Sequence, residues 1–313
     1  MARNGDLCKA KVSDNDEFYT RYCDIKNELE NYSESEFSGR IIYCNCDDWT
    51  KSQFFQYFMD NFWVLGLKKL ICTSYNSEGR GTFCIYDGHV ESGELAGNGD
   101  FRSDECIEYI KECDMVVTNP PFSLFRQFIA VLMKYGKKFI IIGNGNAATY
   151  RDIFPYIRSG EIWIGCKGFA GGMNMYPGPN YDVTKCKHPR YDDSGKLMVN
   201  VMMCVWFTNV ENSRRNTPIE LKEKYSEEKY RKYDNCDAIE VKSVSEIPYD
   251  YDGLMGVPVT FLAKHCPEQF EIVGYEHDID GNGTCLIQFL IDGKGIYKRL
   301  LIKKVIKQQC SHF

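Results

Sequence analysis

The sequence has no uninterrupted apolar run of about 18 residues, no Cys-x-x-Cys pair, 10 prolines and 5 histidines in 313 residues. Without the apolar run a membrane-spanning helix is excluded from the reading, and the opening Met1-Ala2-Arg3-Asn4-Gly5-Asp6 lacks both the apolar stretch and the small-residue cleavage site of an export signal. The expectation is a cytoplasmic protein that meets no membrane. The 15 cysteines are odd in number and scattered from Cys8 to Cys310, a pattern of reduced thiols acting as small buried hydrophobes and not of a disulfide framework. Cys44-Asn45-Cys46 and Cys186-Lys187-His188 have no second pair at zinc-site spacing, so no metal centre is expected. A net charge of −6 argues against a protein that coats nucleic acid along its whole surface and leaves open one that holds it in a single groove. Basic residues gather at Arg214–Lys232 and Lys294–Lys307, as either a solvated face or a phosphate-binding surface.

What is present is enough apolar sequence, 43% of residues, to bury a core. Asp16-Glu17-Phe18-Tyr19-Thr20 predicts the opening of a helix that runs to about Tyr32. Arg40–Cys46 then reads as strand, Lys51–Met59 as helix, and Lys69–Thr73 and Thr82–Tyr86 as further strands. Beyond the glycine-rich stretch Gly93–Gly99, Ser103–Cys113 reads as a short helix capped by Ser103. Asp114–Thr118 and Lys138–Gly143 are buried-strand runs separated by apolar residues at helical spacing, from Leu124 to Met133. Strands alternating with helices predict an α/β, doubly wound, mostly parallel seven-stranded sheet with ligands at the carboxyl ends of its strands. Glu161–Gly165 and Val199–Phe207 are expected to close that sheet as an antiparallel hairpin. Their connection, over thirty residues rich in Gly, Pro, Tyr and Asn, is expected to be a functional loop. The expected division is residues 1–210 as one domain and 211–313 as a smaller one.

Asn119-Pro120-Pro121-Phe122 directly follows a buried strand and precedes a helix. Read structurally, it is a stiff turn whose two rings fix φ. Read chemically, neither proline carries an N–H, so the Pro120 carbonyl faces a cleft without a competing local donor, and the Asn119 side-chain oxygen is a second acceptor beside it. Two acceptors and the Phe122 ring match an exocyclic amine on a flat heterocycle. Accepting both amine protons draws the nitrogen toward a tetrahedral shape and aims its lone pair.

With that motif, the sequence resembles the S-adenosylmethionine-dependent amino-methyltransferases, and within them the EcoRI-type adenine-specific DNA methyltransferases. The likeness covers Asp16–Thr20, Tyr43–Asp48, Gly99–Ser103, Val116–Arg126, Trp206–Asn209 and Tyr251–Pro258. It implies methyl transfer to adenine N6 in a specific double-stranded DNA sequence, with the base rotated out of the stack and received by a residue such as Phe122. Asn119, Pro120, Pro121 and Phe122 would be catalytic. Asp47 or Asp48 would take the methionine ammonium of the cofactor, although either Asp48 or Thr50 would equally serve to cap the following helix. Phe18, Tyr19 and Thr20 would wrap its carboxylate, and Asp100 with Phe101 would receive its adenine.

Residues 41–50 contain no glycine, a departure from the wider superfamily that the EcoRI-type family shares. The acidic residue expected for ribose hydroxyls is missing where Thr73-Ser74-Tyr75-Asn76 stands. Residues 211–313 would be the target-recognition region, with the 167–197 loop contributing to sequence choice and Arg214, Arg215, Lys187 and Arg190 available for phosphates or guanines. A restriction endonuclease acting on the same site would be a cognate partner. The competing readings are a methyltransferase acting on a protein glutamine amide or an RNA base, as the similar release-factor methyltransferases do, and a non-catalytic DNA-binding relative.

Overall fold

The computed structural model describes residues 18–178, 181, 182, 184, 186, 188–275 and 288–305. Asp16, Glu17, Lys187, Leu286, Ile287 and Lys307 lie outside the described residues. The chain divides into two compact units, Met1–Ala147 with Phe169–Glu211, and Ala148–Gly168 with Asn212–Phe313.

In the first unit the chain runs through β1 (Phe18–Tyr19), α1 (Tyr22–Leu29), β2 (Ile41–Cys44), α2 (Gln53–Asp60), β3 (Lys69–Thr73), β4 (Thr82–Tyr86) and β5 (Val90–Glu94). It continues through α3 (Asp104–Glu112), β6 (Met115–Thr118), α4 (Phe125–Lys134) and β7 (Lys138–Asn144). Residues 148–168 belong to the second unit and carry α5 (Phe154–Arg158) and β8 (Trp163–Ile164). The first unit resumes with β9 (Met173–Pro177), β10 (Arg190–Tyr191), β11 (Leu197–Val201) and β12 (Cys204–Thr208).

Its main strands lie in the order β5-β4-β3-β2-β6-β7-β12. The central pairs β2·β3, β2·β6 and β6·β7 are parallel, and β3·β4, β4·β5 and β7·β12 are antiparallel. The sheet is therefore a four-strand parallel centre with antiparallel additions on both sides, more mixed than the alternation of strands and helices predicts. Strand side chains alternate between faces. Ile42, Cys44, Leu70, Cys72, Met115 and Val117 share one buried cluster with Ile25 and Leu29 of α1 and Phe54 and Phe58 of α2. On the other face Tyr43 meets Tyr109 of α3 with ring centroids 5.9 Å apart, and Phe207 meets Phe125 of α4 at 5.0 Å. Helices thus cover both faces. Ser103 caps α3 as predicted, its Oγ accepting from the Cys106 N–H.

Two local expectations are corrected. Phe18–Tyr19 does not open a helix: it pairs antiparallel with β9, Phe18 opposite Pro177 and Tyr19 opposite Tyr176, and the helix begins at Tyr22 after the extended Arg21. The run Val199–Phe207 is two strands, broken at Met202-Met203 where Met203 turns through φ 56°. Cys204–Thr208 joins β7, whereas Leu197–Val201 pairs with β9, so the long connection is itself folded into a small sheet of order β1-β9-β11-β10.

The glycine-rich stretch is packed backbone against backbone. Asn76 N–H donates to Asn98 O at 2.9 Å and Gly81 N–H to Gly97 O at 3.0 Å. Gly99 adopts φ +79°, and a Cβ there would lie 1.9 Å from the Ser74 carbonyl oxygen. Only glycine permits that approach, and it holds the segment after β3 in place.

The second unit adds β13 (Lys232–Tyr233), β14 (Cys236–Glu240), β15 (Leu254–Pro258), β16 (Phe270–Tyr275), β17 (Leu290–Ile291), β18 (Lys294–Gly295) and β19 (Arg299–Lys304). Five of these form a mixed sheet of order β13-β14-β15-β19-β16. Part of its basic sequence is turned inward. Arg299 pairs with buried Glu240 at 2.6 Å, and Glu240 also accepts from the Tyr233 hydroxyl. Buried Arg215 lies over the Trp163 ring at 4.6 Å, and Arg214 donates to the Cys166 carbonyl at 2.5 Å, so both arginines are engaged within the unit. His265 Nε2 is 2.8 Å from the Phe270 carbonyl and its Nδ1 is 3.3 Å from Arg215 Nη1. A neutral ring, donating from Nε2 and accepting at Nδ1, satisfies both neighbours. Burial foremost, with the Arg215 charge adding to it against the Phe270 hydrogen bond, lowers the His265 pKa to about 4 from its ordinary 6.5.

Two predictions follow from this packing. Because His265 titrates lower in the folded protein, its contribution is present above pH 6.5 and is lost as pH falls from 6.5 toward 4. The urea midpoint should fall over that interval, and His265→Gln should flatten the dependence. Gly99→Ala should cost about 1–3 kcal/mol or more in urea unfolding. Gly97→Ala, whose added Cβ meets its nearest atom at 4.0 Å, should cost far less.

Candidate active site

In the main sheet the chain passes from β2 to β3 on one side and later returns to β6 on the other. The loops leaving β2 and β6 therefore diverge, and such a switch point opens a crevice at the carboxyl ends of the strands. The two loops are tied at their base, where the Thr118 hydroxyl donates to the Asn45 carbonyl. Cys46 then turns through φ 60°, and Asp47 N–H donates to Thr73 O at 2.8 Å. These bonds hold Asp47 and Asp48 at the mouth of the crevice without any glycine.

Asp48 closes its own turn, accepting from Thr50 N at 3.0 Å and Thr50 Oγ1 at 2.6 Å, with Lys51 Nζ at 2.9 Å. Burial works against its charged form, but the Thr50 and Lys51 contacts prevail and hold its pKa below the usual carboxylate range. The cap of α2 is neither Asp48 nor Thr50 but Ser52, whose Oγ accepts from Phe55 N–H at 3.1 Å. On the β6 side, Asn119 Nδ2 donates to the Phe18 carbonyl at 2.6 Å. Asn119 Oδ1 is buried and has no hydrogen-bond partner, and the same holds for Thr20 Oγ1.

A cavity of about 560 Å³ occupies the crevice, and its walls come from four segments of the first unit. Phe18, Tyr19 and Thr20 form one, and Cys46 to Lys51 with Gln53 and Phe54 a second. Ser74, Tyr75, Asn76, Arg80 and Thr82 form the third, and Asn119, Pro120 and Pro121 the fourth. Eight residues singled out in the sequence thus line one space: Phe18, Tyr19, Thr20, Asp47, Asp48, Asn119, Pro120 and Pro121.

Three others are placed apart from its walls. Phe122 opens the short turn before α4 and packs, half-buried, against the core cluster under the sheet. Asp100 is engaged by Arg102, at 2.5 Å from Nη2 and 2.9 Å from Nε, and this contact foremost holds its pKa below the usual carboxylate range. Phe101 is 2% exposed with its ring 5.0 Å from that of Phe128. The sequence reading missed Trp49, Tyr75 and Arg80 as wall residues. Tyr75 carried a usable signal, since it stands just past the buried-strand run Lys69–Thr73, at the strand end where such sheets take their ligands. Arg80 carried none, because it reaches the cavity through the turn between β3 and β4.

Comparison with known proteins places the chain in a family. The family model described as "Adenine-specific methyltransferase EcoRI" matches residues 6–89 and 84–307. The chain is 43% identical to the Type II methyltransferase M.EcoRI of Escherichia coli, covering 97% of this chain and 98% of that one. It is 37% identical to the Type II methyltransferase M.MgeORF184P of Mycoplasma genitalium over 95% of this chain and 98% of that one. To the Type II methyltransferase M.MpnI of Mycoplasma pneumoniae it is 38% identical, over 85% and 84%. No solved structure matches it. Among the described residues no helix is long and apolar enough to cross a membrane. With a family match that spans most of its length and relatives similar from end to end, the chain belongs to the EcoRI family of adenine-specific methyltransferases.

Proposed function

We propose that the protein transfers the methyl group of S-adenosylmethionine to N6 of an adenine in a specific duplex DNA sequence, acting on a base rotated out of the stack. The observation that carries this reading is the buried, unpartnered Asn119 Oδ1, set beside Pro120 and Pro121 in the wall of the cavity that also receives Thr20 and Asp47. An orphaned buried acceptor costs about 1–3 kcal/mol, a cost that a bound N–H donor removes.

The cavity residues fit the proposed cofactor. The Thr20 hydroxyl, also buried without a partner, suits a carboxylate, and Asp47 or Asp48 suits an ammonium, Asp48 being already engaged by Thr50 and Lys51. Because Phe101 is buried, the adenosine end is assigned to the wall at Ser74, Tyr75 and Asn76. When bound, S-adenosylmethionine supplies an electrophilic sulfonium methyl group.

The remaining work falls to the protein. Asn119 Oδ1 and the Pro120 carbonyl accept the two amine protons, which hold the nitrogen in line and turn its lone pair toward the incoming carbon. No strong general base is required, since the methylated amine is a cation whose proton leaves readily to water. Phe122 directly follows the acceptors and is half-buried against the core, so only its exposed part would stack on the everted base, and base–aromatic stacking contributes about 1–3 kcal/mol. Residues 1–210 would carry the chemistry and 211–313 target recognition.

The test is methyl-labelled cofactor with unmodified duplex DNA, RNA and a protein extract. Label should appear in duplex DNA as N6-methyladenine. Label in cytosine, or in RNA or protein with DNA untouched, would contradict the acceptor assignment. Asn119→Ala should lose transfer by about a hundredfold or more while still binding DNA.

A further inference from the structure

The small sheet β1-β9-β11-β10 has two unlike faces. Met173 and Met175 of β9 are buried in the core, so alternation places Asn174 on the outer face. Asn200 of β11 lies directly across from Asn174. On the edge strand β10, Arg190 is exposed and its Nη1 is 3.1 Å from Asn174 Oδ1. Asn200 Nδ2 reaches the same oxygen at 3.0 Å and the Gly171 carbonyl at 2.9 Å. The Arg190 guanidinium can only donate, and the Gly171 carbonyl fixes the Asn200 end as its nitrogen, so the shared Asn174 atom is the oxygen and the Asn174 amide nitrogen is a further donor on that face. With the rest of the Arg190 guanidinium, the face displays hydrogen-bond donors held in a fixed array.

We propose that this face reads a guanine in the major groove beside the target adenine, an inference that rests on the DNA reading above. A β-ribbon fits the major groove, and an array of donors matches the paired acceptors O6 and N7 of guanine. Adenine shows one acceptor and one donor there, and cytosine one donor, so each leaves a donor facing a donor. The far edge of the same sheet is β1, whose Phe18 carbonyl holds Asn119. Three strand spacings separate β1 from β10, roughly 14 Å, or about four base-pair steps of 3.4 Å. Arg190 is thus a specificity-determining residue and the guanine it reads lies within about four base pairs of the methylated adenine.

The experiment maps methylated adenines in genomic DNA treated with the full-length protein, and with Arg190→Ala, Arg190→Lys and Asn174→Ala. The wild-type motif should contain an obligatory G·C pair at that distance. Arg190→Ala should lower the preference for that pair over the other three by about 10- to 100-fold, and Arg190→Lys should not restore it. Asn174→Ala should act at the same position more weakly, which separates loss of reading from loss of folding.

A uniform loss across all sequences with a shallower salt dependence would make Arg190 a phosphate contact and overturn the proposal, as would an unchanged motif in all three variants. Absence of DNA methylation by the wild-type protein would instead overturn the methyltransferase reading, and this inference with it.

Discussion

The hydrogen bond from Asn119 Nδ2 to the Phe18 carbonyl decides which end of this cavity-wall asparagine is left without a partner. An amide has one donor end and one acceptor end, and occupying the donor end with a backbone carbonyl leaves Oδ1 as the end without a partner. That oxygen is buried and unpartnered, so the folded chain carries an unmet acceptor at the place where an amine would be received. The same bond ties the loop after β6 to the segment Phe18–Thr20 more than a hundred residues earlier, and so joins the proposed methyl-acceptor and methyl-donor sides of one crevice. Preorganisation of this kind is where positioning catalysis draws its advantage, because little reorganisation remains when the substrate arrives.

The rest of the first unit supports that arrangement. Parallel pairing of β2 with β3 and β6 puts the loops at the switch point, and Asn45 and Thr118 lock their bases together. The glycine-rich stretch presses against Ser74 from behind, which fixes the wall at Tyr75 and Asn76. In the second unit, by contrast, several cations serve the fold. Arg299 is consumed by Glu240, and Arg215 by Trp163 and His265, so a count of basic residues overstates what that sequence can offer to a phosphate.

Much of this was legible in the sequence because it is local. The buried-strand runs at residues 41–44, 69–73, 115–118 and 138–144, and the Ser103 cap, depend on periodicity and neighbouring side chains. The Asn-Pro-Pro-Phe turn was legible for the same reason, since two proline rings dictate its shape. What was not legible is set by pairing at a distance. Phe18–Tyr19 follows Asp16-Glu17 directly ahead of a helical stretch and so reads as its start, yet β9 recruits it as a strand. Ser52 caps α2 because the helix starts at Gln53, later than Asp48 or Thr50 would set it, and Asp48 instead closes the preceding turn with Thr50 and Lys51. Arg80 lines the cavity from the loop between β3 and β4, whose Asn, Ser and Gly residues mark a loop but not where its arginine reaches.

The central claim is that Asn119 Oδ1 recognises the exocyclic amine and nothing else about the base. The direct measurement is DNA affinity with adenine or unsubstituted purine at the target position, for the wild-type protein and for Asn119→Ala. Removing the amine should weaken binding by the wild-type protein about fivefold to tenfold and weaken binding by the variant distinctly less, since only the Pro120 carbonyl then loses a donor. An equal penalty in both proteins would show that Asn119 does not touch the amine and would contradict the account.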